Sequence, residues 1–343
     1  MDGHARPGRR SGVQLLGRRP TMIDVAREAG VALKTVSRVV NDEPGVRPAT
    51  AERVNRAIAR LRYRRNDLAR RLRSHAPTAT IGLIVDDVTC ARSAAIAGGV
   101  EAVVRELGWL VIAASCGADA ASQRRLVTAM VERQLDGLLV VPAGDDHAYL
   151  RPEVRRGTPA VFVDRPPAGI EADAVLVDDR GGARAGAAAL LGAGHRRIGV
   201  VAGPPGLYTV AERLAGWREG LAAGGVAGAS ALLRTGVGDA AGAEAAARGL
   251  LSGDDPPAAL VALSGLLAPG VVRAALGCPA CRLVLVFDPF PSADLLAMPV
   301  AVVDYDAGEL GRRAAELLLD RLDGNAGPAR RVVLPVAVRL SRS

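Results

Sequence analysis

Residues 21–41 read TMIDVAREAGVALKTVSRVVN. Thr21 followed three positions later by Asp24 has the pattern of a capping box, in which each side chain satisfies the other's backbone amide at a helix start. Ile23, Val25, Ala26 and Ala29 then recur at helical spacing. Gly30 ends that helix, Val31 follows, and a second short helix is expected over 33–40 with Val36, Val39 and Val40 turned inward. Pro48 opens a third helix through Val54, Ala57, Ile58 and Leu61. Two short helices about a tight glycine turn make a helix-turn-helix, so 21–65 is expected to be a small all-α domain.

On either side of this domain the chain is strongly basic. Of a net charge of +8 over 343 residues, the front carries Arg9, Arg10, Arg18, Arg19, Arg27, Lys34, Arg38, Arg47 and a dense run across 53–73. The remainder is close to neutral. A basic front on a neutral body is the footprint of a nucleic-acid partner. Residues 1–20, rich in Gly, Arg and Pro, are expected to be a disordered arm. Residues 66–78, containing NDLARRLRS and Pro77, are expected to be a linker that can become a helix.

From position 79 onward, short aliphatic runs alternate with helical stretches. Residues 81–85, 110–114, 137–141, 160–163, 174–177, 198–201, 259–263 and 283–287 are expected to be buried strands, with 94–107 and 122–134 among the helices between them. Repeated βα units imply a parallel, doubly wound sheet. The length suits two such lobes, with ligands bound at the carboxyl ends of their strands. The chain closes on a strand-like stretch, 332–340. Hydrophobic residues make up 49% of the chain but aromatics only 3%, so the core is built of small aliphatic side chains. No apolar run is long enough to span a membrane. The early apolar stretch 13–16 is too short for a secretion signal. A cytoplasmic setting without structural disulfides is therefore expected for Cys90, Cys116, Cys278 and Cys281.

At this point the sequence resembles the LacI/GalR family of transcriptional regulators. The runs IDVAREAGV, KTVSRVVN and LRYRRNDLARRL agree in order and spacing. So do VEAVVRELGW, QLDGLLVVP, GAGHRRIGVVAGP, ERLAGW and ELGRRAAELLLDRLDG further on. The resemblance covers nearly the whole chain and implies a helix-turn-helix headpiece plus an α/β core of the two-lobed, periplasmic-binding-protein-like kind. The implied division is a headpiece over 21–65, a hinge over 66–78 and a core over 79–343. The first lobe would take 79–175 with 304–324, and the second 176–303 with 325–343.

The resemblance also implies site residues. The second helix would lie in the major groove, with Leu33, Lys34 and Arg38 toward base edges and Thr35 and Ser37 toward phosphates. Thr21, Asn41 and Asn66 would join the DNA contacts. Leu72 of a hinge helix would wedge into the minor groove, with Ala69 on the same side. Effector contacts would fall on Thr89, Arg92, Asp164, Arg213, Ser264 and Asp288, with Arg165 beside Asp164. The implied partners are a double-stranded, palindromic operator, a second copy of the chain meeting through the first lobe, and a small-molecule effector; repression is the implied default, and no membrane is involved.

Several positions depart from the family pattern. Ala32 and Arg47 stand where serine caps are usual. Cys90-Ala91-Arg92-Ser93 replaces Asn-Pro-Phe-Phe, Val237 replaces an aromatic, and Ser264-Gly265 replaces an Asn-Asp or Ser-Asp pair. A cleft with fewer aromatics and an added arginine is expected to take an anionic metabolite facing Arg92 and Arg213 rather than a neutral sugar, or to bind no effector. Cys278-Pro-Ala-Cys281 lacks a second pair at zinc spacing, and His195 has no nucleophile or metal partner in view. Neither a cofactor, a metal nor an enzymatic activity is expected. An exported binding protein is disfavoured by the attached DNA reader.

Overall fold

The computed structural model describes residues 20–63, 77–226, 232–288 and 290–340. The chain divides into two compact units, 1–76 and 77–343. The expected arm over 1–20 and the hinge residues Asn66, Ala69 and Leu72 lie outside the described residues, apart from Pro20 at the edge of the arm.

In the first unit, α1 (Met22–Ala29), α2 (Leu33–Val40) and α3 (Pro48–Leu61) form a three-helix domain. Thr21 caps α1 as the spacing requires: its amide donates to Asp24 Oδ2 at 2.8 Å and its Oγ1 accepts from the Asp24 amide at 3.4 Å. Gly30 takes φ +63°, a left-handed conformation that ends α1 without a Cβ penalty. One valine from each helix, Val25, Val36 and Val54, is wholly buried at the centre. Val39, Val40, Ile58 and Leu61 pack around them. Ile23, which the spacing grouped with the inward residues, faces solvent. Ala32 and Arg47 stand at the N-caps of α2 and α3, and neither side chain makes a cap bond.

The second unit holds two six-stranded sheets joined by crossovers. The first half contributes β1 (Thr80–Val85), α4 (Ala91–Glu106), β2 (Leu110–Ser115), α5 (Ala120–Glu132), β3 (Gly137–Val140), the short α6 (Arg151–Arg155), β4 (Ala160–Asp164) and β5 (Ala174–Val177). The chain then passes to α7 (Asp179–Gly192), β6 (Ile198–Val201), α8 (Tyr208–Ala223), β7 (Leu233–Arg234), α9 (Ala240–Leu251), β8 (Ala259–Ala262), α10 (Ala268–Leu276), β9 (Leu283–Phe287) and β10 (Val300–Asp304). It returns for α11 (Ala307–Leu322) and β11 (Arg331–Leu334), then crosses again to β12 (Ala337–Leu340). The sheet orders are β11-β5-β4-β3-β1-β2 and β12-β10-β9-β8-β6-β7. The pairings are parallel except β12, which runs antiparallel to β10. Strands such as β4 and β9 are buried along their whole length, which is why they read as unbroken aliphatic runs.

Two expectations are corrected here. The closing strand over 332–340 is two strands in two sheets, broken at Pro335, which has no amide to donate to a ladder. The lobe boundaries move with it. Residues 331–334 pair in register with β5, and the Asp178 amide donates to Leu334 O, so this segment belongs to the first lobe rather than the second. The β5 residues 176 and 177 likewise stay in the first sheet, while β10, not anticipated as a strand, keeps Asp304 in the second.

The crossover helices meet the rest of their lobes backbone to backbone. A Cβ on Gly99 of α4 would lie 1.9 Å from Gly308 O, and one on Gly311 of α11 would lie 2.0 Å from Ile96 O. The second lobe repeats the device: a Cβ on Gly216 of α8 would fall 2.0 Å from Arg180 O of α7. A chain with 40 glycines and few aromatics builds its core by drawing helices together rather than by filling space between them.

Restoring a hydroxyl at the uncapped start of α2 tests the headpiece reading. Ala32→Ser should stabilise the first unit by about 1 kcal/mol. A rise in its urea midpoint at unchanged slope is the expected result.

Candidate DNA interface and effector cleft

The N-terminal end of α2 carries Leu33 and Lys34 into solvent; Leu33 is 46% exposed although apolar. Thr35, Ser37 and Arg38 are half-buried along the next turn. Asn41, at the C-cap of α2, donates to Ser37 Oγ at 3.4 Å and to Glu43 Oε1 at 3.2 Å. The Thr21 hydroxyl donates to Asp24 Oδ2 at 2.7 Å, so its evident work is to start α1. The valine core thus holds an exposed, cation-bearing helix end without using any of the α2 residues that face outward.

In the second unit, two arginine–aspartate clusters form at the carboxyl ends of the strands. In the first lobe Arg92, in the first turn of α4, donates to Asp164 Oδ2 at 2.5 Å and to Asp86 Oδ2 at 3.3 Å. A cation at a helix N-terminus opposes the helix dipole, so the carboxylates, not the helix, hold it there. Arg165 also donates to Asp86 Oδ2 and, at 2.7 Å, to Pro142 O. In the second lobe Arg213 of α8 donates from Nε to Asp179 Oδ1 at 2.7 Å, from Nη2 to Asp288 Oδ1 at 2.7 Å and from Nη1 to Leu263 O at 2.8 Å. Its guanidinium lies over the Phe287 ring at 3.8 Å. Asp288 further accepts from the Gly265 amide at 2.9 Å and the Tyr305 hydroxyl at 3.1 Å.

Arg213 is shared unequally, and the two aspartates titrate in opposite directions. Burial alone would raise both. Asp288 is nevertheless driven down to about 2 by Arg213, Arg92 and its two-pronged hydrogen bonding. Asp179 is pushed up to about 7, because burial outweighs its single bond from Arg213 and the charges of Asp164 and Asp288 add to the effect. Asp179 Oδ2 has no hydrogen-bond partner, nor does Asp164 Oδ1. Asp164 and Asp288 hold positive φ, +72° and +82°, a strained backbone for a residue with a side chain and a common mark of a working site.

Of the residues singled out from sequence, Arg92 and Asp164 come together in one lobe and Arg213 and Asp288 in the other. Thr89 and Ser264 do not join them through hydrogen bonds. Thr89 is exposed and bonds Asp87 at 2.8 Å, and Ser264 Oγ accepts from the Leu266 amide at 3.3 Å. Asp86, Asp179 and Tyr305 were missed. The two aspartates follow the rule that found Asp164, an acid just past a buried strand; Tyr305 follows β10, which was not read as a strand. The anionic-effector expectation meets a physical obstacle, since Arg92 and Arg213 are already neutralised by carboxylates. Cys278 and Cys281 are free thiols on a turn, where burial pushes Cys281 up to about 11.

Known proteins carry the same two parts. Residues 21–66 match the description "Bacterial regulatory proteins, lacI family", and 187–342 match "Periplasmic binding protein-like domain". The HTH-type transcriptional regulator CelR of Thermobifida fusca is 33% identical over 338 residues, 95% of this chain and 98% of that one. The chain belongs to the LacI/GalR family. The Ribose operon repressor of Haemophilus influenzae is 29% identical, over 88% of this chain and 92% of its own. A solved CelR–cellobiose complex superposes with TM-score 0.69 at 30% identity, covering 95% and 100% of the two chains. A lac repressor dimer bound to operator shares the fold at TM-score 0.77, with 24% identity over 94% and 99%. This LacI/GalR member is thus a DNA-binding, small-molecule-responsive transcriptional regulator of a non-catalytic family. Among the described residues no helix is long and apolar enough to cross a membrane.

Asp179 gives a pH test. The folded protein holds its proton more tightly than the unfolded chain, so its contribution to stability falls as pH rises from about 4 through 7. Asp179→Asn, which keeps an acceptor for Arg213 Nε, should gain on wild type by on the order of 1 kcal/mol or more between pH 5 and 8. Buried His147, pushed down, acts in the opposite sense but is common to both proteins. Parallel melting curves across that range read the difference.

Proposed function

We propose that the protein acts as a homodimer on a palindromic operator, with repression as its default, and releases or tightens on DNA when a small molecule closes the core cleft. The observation that carries the DNA reading is the outward end of α2. Lys34 and Arg38 can donate to guanine O6 and N7, Leu33 can meet a thymine methyl, and Thr35, Ser37, Thr21, Asn41 and Asn66 can hold the phosphates. Leu72, with Ala69 beside it, would wedge the minor groove at the operator centre. Two-fold symmetry of the protein would be mirrored in the operator. The second copy would sit against α4 and the edge strand β2, where Leu110 and Ile112 are exposed at 67% and 44%.

The effector would lie between the two arginine–aspartate clusters. Both arginines are paired, while Asp164 Oδ1 and Asp179 Oδ2 are buried without partners. Asp86, Asp164 and Asp288 match Arg92, Arg165 and Arg213 in number, with Asp179 partly protonated near neutral pH. The absence of excess cation, with both an acceptor (Asp164 Oδ1) and a donor (Arg165 Nε) left over, favours a neutral ligand with hydroxyl groups over an anion. Cellobiose, which the CelR complex holds, belongs to that class. The ligand would shift the DNA-competent population by its differential affinity for the closed lobes.

Selection of bound sequences from a random duplex pool, at fixed salt, tests this reading. Wild type should return a palindrome. Lys34→Ala should relax one position in each half-site at a cost of about 1–3 kcal/mol, Leu72→Ala should weaken binding throughout, and Leu110→Asp with Ile112→Asp should leave single half-sites. Binding that depends on salt but not on sequence would reduce the front end to an electrostatic arm and overturn the proposal.

A further inference from the structure

Of the 44 lysine and arginine side chains in this protein, 43 are arginines and one is a lysine, Lys34. The single amine side chain stands at the second position of α2, on the outward helix end described above. It is exposed, and among the described residues its side chain makes no ion pair or hydrogen bond. No acidic residue lies three or four positions away on either side, where a helix would offer a partner, and Arg38, four positions on, is a like charge. A cation in the first turn also opposes the helix dipole. The charge of Lys34 therefore does nothing to hold α2 in place. Reading guanine does not call for a lysine either, since the planar guanidinium used everywhere else in the chain offers a two-pronged donor where an ammonium offers a point charge.

What separates the two cations is the chemistry of their nitrogens. A guanidinium stays protonated, whereas the neutral fraction of a lysine amine is a nucleophile toward acyl donors. We propose that Lys34 is an acylation site at which an acyl phosphate switches off operator reading; this rests on the reading of α2 as the helix that meets base edges. The Lys34 Nζ lone pair attacks the acyl carbonyl carbon, the C–O bond to the phosphate breaks, and the nitrogen gives up a proton. An amide and inorganic phosphate remain, and nothing is oxidised or reduced. The amide has lost the positive charge and keeps one N–H, and it brings a carbonyl oxygen to a place where guanine presents two acceptors, O6 and N7. The exposed arginines of α3, Arg53, Arg56 and Arg60, are untouched, so attraction to phosphate persists while discrimination between bases fails. With no second lysine in the chain, acylation of its side-chain amines acts on DNA reading alone.

Incubation of the full chain with acetyl phosphate, followed by hydroxylamine to clear acyl groups from thiols, tests the proposal. Tryptic mapping by mass spectrometry should find a side-chain acetyl group at Lys34, seen as loss of the cut after that residue. Affinity for the palindrome returned by operator selection should fall by about tenfold or more, and affinity for an unrelated duplex by less than about threefold. The melting curve should not change. Lys34→Arg keeps a positive charge but offers no amine, so the same treatment should leave that variant's own affinity, whatever its value, where it was. A Lys34 that stays free, an acetylated Lys34 with undiminished operator binding, an equal loss on both duplexes, an equal loss in Lys34→Arg, or a loss accompanied by unfolding overturns the inference. Operator selection is read first, on untreated protein. A chain that returns no palindrome fails there, before any acyl donor is added, and takes this inference with it, so the two failures are distinct.

Discussion

Helix backbones in direct contact set the geometry on which the rest of this protein depends. Gly99 and Gly311 bring α4 and α11 together with no room for a Cβ, and Gly216 does the same for α7 and α8. Those contacts fix how closely α4, which carries Arg92, lies to α11, and α8, which carries Arg213, to α7. Asp164 and Asp288 sit at strained, left-handed backbone positions at the ends of fully buried strands. The low aromatic content and the abundance of glycine follow from this mode of packing.

Charge in the cleft is organised by sharing rather than by simple pairs. Arg213 serves Asp179 and Asp288, and Arg92 serves Asp86 and Asp164. Because burial raises the cost of every unpaired charge, a shared cation leaves its weaker partner partly protonated, and Asp179 takes that role. The same sharing leaves Asp164 Oδ1, Asp179 Oδ2 and Arg165 Nε without hydrogen-bond partners. The two clusters also act on each other, since Asp164 is among the charges that raise Asp179 and Arg92 among those that lower Asp288. The cleft is therefore one electrostatic unit built from two lobes.

How far the sequence foretold this depends on how local each signal is. The capping box at Thr21 and Asp24, the glycine stop at Gly30 and the valine spacing of α1 to α3 are decided within a few residues, and they appear in the structure as read. Buried strands such as 174–177 and 283–287 were equally legible, because burial on both faces leaves an unbroken aliphatic run. Partner choice was not legible. Nothing near 331–334 says that it pairs with β5, more than a hundred residues earlier, and Pro335 is a weak sign that neighbouring strands enter different sheets. The same limit governed the site. Arg92, Asp164, Arg213 and Asp288 could be named singly, but that each arginine already has its carboxylates is a fact of tertiary structure.

The pairing of β11 with β5 has a consequence for how the protein is made. During synthesis the first lobe emerges with β1 to β5 complete but with one edge of β5 open, and its last strand and its helix α11 leave the ribosome only after every strand of the second lobe except β12. That lobe must wait with an unpaired, fully apolar strand at its border while the other folds. An open edge of this kind invites association with any passing strand. The interleaved chain that joins the lobes therefore leaves the border of the first lobe open until β11 has been made.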